Sequence, residues 1–142
     1  MSVCDDIRQV LIDGGISTAV ESGGALACYM MPASPTYVFE ISEYGGLRPI
    51  PVGSDTGTAS DFIAIYGVQI RSRARQDQIE TQETDMMAIR DLLHLKRNFV
   101  VNGHTYIAIE ATTSGYLNLG WEGEDVSRVR YLSLNFEVRR SK

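Results

Sequence analysis

From Phe62 to Ser72 the chain reads Phe-Ile-Ala-Ile-Tyr-Gly-Val-Gln-Ile-Arg-Ser, and this run constrains the fold more than any other. Ala64, Tyr66, Val68 and Ile70 fall on one side of an extended strand, while Gln69, Arg71 and Arg73 emerge on the other toward its end. Ile63 and Ile65 make the early part apolar on both sides, which predicts a central strand. A second alternation closes the chain, from about Ser127 to Val138. There Leu132, Leu134, Phe136 and Val138 face one way and Tyr131, Ser133, Asn135 and Glu137 the other.

Strands of this kind need cover on their apolar side. Asp77 and Glu80 have capping-box spacing, and Ile79, Met86, Ile89 and Leu93 then recur on one helical stripe running to about Leu95. This predicts the principal helix, with Glu80, Glu83, Asp85 and Asp91 making an acidic exposed surface. Ser2 and Asp5 have the same spacing ahead of Val3, Ile7, Val10 and Leu11, a short N-terminal helix stopped by Gly14 and Gly15. Further strands are expected at Tyr37–Ser42, Thr105–Glu110 and Gly115–Trp121, while about 44–61 is a long loop rich in Gly, Pro, Ser and Thr. The predicted class is α+β: a mostly antiparallel sheet with one principal helix packed on a face and a short N-terminal helix. Its 142 residues suit a single domain, 1–142. A chain of this length buries roughly 70% of its unfolded surface and needs no metal or disulfide staple. Cys4 and Cys28 form no C-x-x-C pair and lie near apolar residues, so they are expected as separate buried thiols in a reducing compartment.

No apolar run approaches the roughly 20 residues of a membrane span, and the N-terminus lacks the basic-then-apolar order of a signal peptide, so neither membrane association nor export is expected. The net charge of −5 is uneven: residues 1–61 carry −6 and residues 62–142 carry +1. Such an acidic chain lacks the footprint of a protein that grips phosphate backbones. Compact catalytic signatures are absent as well. An enzyme reading has to use scattered residues: His94, His104 and Glu110 would be a zinc-hydrolase set. A ligand-binding reading would need a deep apolar pocket beside Trp121. Against these stands the separation of charge, with acids on the helix after Asp77 and arginines, Arg71, Arg73, Arg128 and Arg130, on two strands. Head-to-tail contact between copies would pair such surfaces; simple solvation accounts for them equally.

One set of motifs points further. Pro32-Ala33-Ser34-Pro35 leads through a strand to Glu43-Tyr44-Gly45-Gly46 with Pro49 soon after, then Val68-Gln69-Ile70-Arg71-Ser72-Arg73-Ala74 feeds an acidic helix, and Arg128 to Val138 closes the chain. Together, from about Met31 to Val138, these resemble the tail terminator and minor capsid proteins of tailed bacteriophages. The resemblance implies an α+β subunit without catalysis or cofactor. It forms a ring, commonly a hexamer of itself, that caps the tail tube protein and meets the head connector or a head completion protein. Such a subunit belongs to the virion at the head-proximal end of the tail, after assembly in the host cytoplasm, and genome DNA passes through without specific binding. The alternative within the same particle is a head-tail joining protein. On this reading Arg71, Arg73, Arg128, Arg130, Tyr44, Gly45, Gly46 and Arg48 make assembly contacts, and Glu80, Glu83, Asp85 and Asp91 face the lumen, where carboxylates would repel passing phosphates.

Overall fold

A computed structural model of the chain describes residues 2–16, 26–33, 36–44, 50–51 and 62–141. Gly45, Gly46 and Arg48, most of the expected long loop and Ser34-Pro35 lie outside the described residues. The elements are α1 (Val3–Asp13), β1 (Leu26–Cys28), β2 (Val38–Tyr44), β3 (Ile50–Pro51), β4 (Phe62–Arg75), α2 (Ile79–Leu93), β5 (Arg97–Val101), β6 (His104–Ala111), β7 (Leu117–Glu122) and β8 (Val129–Ser141). They form one mixed, mostly antiparallel sheet curled into a half-barrel, in the order β1-β2-β4-β8-β6-β5. β3 pairs with one end of β4 and β7 with the opposite end of the β4–β8 ribbon. The α+β expectation holds.

The two strongest alternating segments are register partners at the centre. Val68 lies opposite Phe136 and Ile70 opposite Leu134, and all four are fully buried. Phe39 and Ile41 of β2 extend the same face, as do Tyr106 and Ile109 of β6. Met86, Ile89 and Leu93 of α2 and Ile7 and Leu11 of α1 complete this core. Among the described residues no helix is long and apolar enough to cross a membrane.

Several boundaries differ from expectation for local reasons. The principal helix opens not on an Asp77–Glu80 box but on a 3-10 turn, Gln76–Gln78, where Gln78 Oε1 accepts from the backbone N–H of Arg75. With that turn it runs for 18 residues and ends at Leu93, because His94 is extended and Leu95 is left-handed at φ 65°. The final strand runs Val129–Ser141 instead of about 127–138, since β4 supplies partners from Arg75 back to Ile63. β5 was not expected at all. The cysteines are corrected too: Cys4 and Cys28 form a disulfide. β1 lies parallel to β2 with Cys28 opposite Ile41, and the start of α1 packs over the same strands. This sets the two Cα atoms 6.1 Å apart, within ordinary disulfide reach.

Candidate functional site

α1 is fastened through its first turns. Ser2 caps it, its hydroxyl accepting from the Asp5 N–H while the Asp5 carboxylate accepts from the Ser2 N–H. The Ser2 hydroxyl also donates to the Asp5 carboxylate at 2.7 Å, and this bond first, then the one from the Ser2 N–H, holds the Asp5 carboxyl below its usual range. One turn on, Asp6 is wholly buried and accepts from three directions: Asn102 Nδ2 at 2.9 Å, His104 Nδ1 at 2.6 Å and the Tyr106 hydroxyl. Burial, and then the bond to Asp6, push the Tyr106 hydroxyl well above the ordinary tyrosine value. This cluster ties the helix to the β5–β6 turn. With donors on both of its oxygens, this buried carboxylate anchors structure.

The zinc-hydrolase set does not assemble. His104 is engaged with Asp6, whereas His94 Nδ1 accepts from the backbone N–H of Ala111 at the far end of β6. Glu110 pairs in register with Glu137, on the opposite sheet face from Ile109. Seven residues of strand separate His104 from Ala111, roughly 23 Å, so the three side chains cannot share one ion. The described residues contain no other metal-holding group of His, Cys, Asp or Glu. Trp121 does not floor a deep pocket either; it is 39% exposed, with the Arg128 guanidinium 4.9 Å from its ring.

The four arginines divide by sheet face. Arg71 and Arg73 lie on the side away from the helices. Arg71 pairs with Glu40 at 3.3 Å, and its Nε and Ser133 Oγ, register partners, are buried without hydrogen-bond partners. Arg73 donates to the carbonyls of Pro32, Ala33 and Thr36, so it fixes the turn leading into β2. With Arg75 and Tyr131 it borders an open cleft of about 570 Å³. Arg130 lies on the helix side and is buried. Its guanidinium donates to Gln82 Oε1 at 3.1 Å and pairs with Glu83 at 3.1 Å. Gln82 in turn donates to Ser72 Oγ and to the Arg130 carbonyl. Arg73 and Arg130 are thus committed within the chain, Arg71 keeps a side chain 37% exposed beside its pairing with Glu40, and Arg128 is half-buried against Trp121.

The helix acids divide as well. Glu80 and Asp91 are exposed, Glu83 serves Arg130, and Asp85 accepts from the Tyr37 hydroxyl. Burial first, then that bond, raise the Tyr37 hydroxyl far above its ordinary value. Tyr44 ends β2 with its ring across Gly67, filling the space a Cβ there would need, and remains 46% exposed. β7 carries the feature that sequence reading missed: Leu117, Leu119 and Trp121 are all exposed on a strand whose one neighbour among the described residues is β8. The signal was present as Leu-Asn-Leu-Gly-Trp, in which apolar residues alternate with Asn118 and Gly120.

No family model matches the sequence, and no curated protein does. Among solved structures, a chain described as "Virion of native gene transfer agent (GTA) particle" superposes with a TM-score of 0.64 at 15% identity, covering 99% of this chain and 96% of that one. A second solved chain aligns over 96% of each at 12% identity and a TM-score of 0.48. The first likeness establishes a shared fold across essentially the whole chain.

Proposed function

We propose that this chain is a structural subunit of a phage-like virion, and within it the tail terminator: a ring of copies that occupies the end of the tail tube and presents its other face to the head. The observation that carries this is the end-to-end match of fold to a chain of the gene transfer agent virion, with neither chain leaving a substantial extra domain unmatched. The motif resemblance to tail terminators, drawn from the sequence alone, points to the same kind of particle. The function is geometric: a seated ring blocks further tube subunits. Arg71, Arg128 and Tyr44 supply contacts between subunits or with the tube, with Arg73 and Arg130 holding the surfaces that carry them. Glu80 and Asp91 are the acids available to line a lumen. Such a role needs no catalysis.

Removing the protein from an assembling system and imaging the tails tests this. Overlong tubes without heads are the expected result. Tubes of normal length lacking heads would assign the head-tail joining role instead, and normal particles would overturn both.

A further inference from the structure

β6 and β7 together line β8 almost from end to end, yet β5 covers only β6. The outer edge of β7 is left without a strand among the described residues. It exposes Leu117 and Leu119, and beyond Trp121 come Glu122, Glu124 and Asp125, all exposed, with the Arg128 and Arg130 guanidinium groups over the Trp121 ring and Arg73 and Arg75 bordering the same cleft as Glu122. β5 is the other open edge on this side of the sheet, and its character is the reverse. Exposed Arg97 and half-buried Lys96 stand at its start and Val100, 68% exposed, near its end. Beside Val100 is a small hollow of about 210 Å³ lined by Val10, Leu92 and Phe99, with Asp13 and Lys96 at its rim.

We infer that β7 of one copy docks antiparallel against β5 of the next. In that orientation the acids at the end of β7 meet Lys96 and Arg97, and Leu117 and Leu119 meet Val100 and its hollow. The parallel orientation would set acids against Val100 and bases against leucines, so charge selects the direction. Both edges are kinked midway, β7 by a bulge with Gly120 at φ 99° and β5 by Asn98 at φ 51°. The two ends of the contact, rather than a continuous ladder, therefore carry it. The contact is heterologous: each copy keeps one used and one open half, the condition for a ring to grow and close. This deepens the ring reading above and rests on it.

Native mass spectrometry of the full chain tests the contact. Arg97→Glu in one variant and Glu122→Lys with Glu124→Lys in another should each weaken self-association by about tenfold or more, from like-charge juxtaposition. Mixing the two variants should restore assembly with equal amounts of each, because every junction is then complementary again. Leu119→Ser should weaken assembly without being rescued by either. Circular dichroism matching the unmodified chain confirms that the variants fold. Variants that assemble as the unmodified chain does, or a mixture that fails to recover, would overturn the contact and leave the ring reading standing. An unmodified chain that stays monomeric at every concentration would overturn the contact too, and tail morphology would then decide the terminator role alone.

Discussion

The corner around Asp6 and the β7–β8 hairpin lie at opposite ends of the same ribbon and solve opposite problems. At the corner a charged group is taken out of water and every polar atom on it is matched, by Asn102, His104 and Tyr106. At the hairpin three large apolar side chains stay partly in water, with two guanidinium groups over the Trp121 ring. Polar residues inside and apolar residues outside both run against the usual partition, and they teach different things. The first is complete within the subunit and reads as fold stability; the second is incomplete and reads as a surface awaiting a neighbour.

That contrast breaks most sharply at Asp6. Asp6→Ala strands the buried Tyr106 hydroxyl and releases Asn102 and His104 from α1, and should destabilise the chain by about 3–5 kcal/mol, read from urea unfolding. A loss under about 1 kcal/mol would mean water reaches the cluster. Next in size is the other fastening of α1: Cys28→Ser, or reduction of the disulfide, should lower stability by about 3 kcal/mol through the freedom it returns to the unfolded loop. The same loss should appear on adding a reductant to the unmodified chain and be absent in the variant.

A subtler effect comes with alkali. The Tyr37 and Tyr106 hydroxyls are held above their ordinary value of 10.0, so the folded state keeps both protonated where the unfolded chain ionises. Their contribution is whole below about pH 10 and is lost as pH climbs toward the raised folded values, so stability should fall with pH there. Tyr106→Phe should flatten that decline, and an unchanged slope would sink the assignment. The smallest effect on folding belongs to the hairpin. Trp121→Ala should cost under about 1 kcal/mol, because the ring is already partly in water. A loss as large as that of Asp6→Ala would show the hairpin to be core and erase the contrast.

Much of the fold was legible because it depends on periodicity. β4, β8, α2 and α1 all repeat their apolar residues at the period of their own backbone, and the structure places them accordingly. β1 was not legible: three residues exist as a strand only because β2 offers a parallel edge. Nor was β5, whose Arg-Asn-Phe-Val-Val does not alternate and whose left-handed Asn98 belongs to an irregular edge. In the sites, the missed residues were polar ones on apolar stripes. Asp6 shares the helical face of Val3, Ile7 and Val10, and Gln82 sits between Ile79 and Met86. A lone acid or amide in such a stripe is itself a signal that a partner waits in the core, though not which partner. The Arg73 and Arg130 roles depended on chain segments about 40 and 50 residues away, beyond any local pattern.

The β4–β8 ladder runs from Ile63 to Arg75 with no break in register. A tug along its length must shear all its rungs at once, whereas a sideways tug peels them singly. Toughness in this fold is therefore directional, greatest for tension that draws β4 and β8 lengthwise past one another.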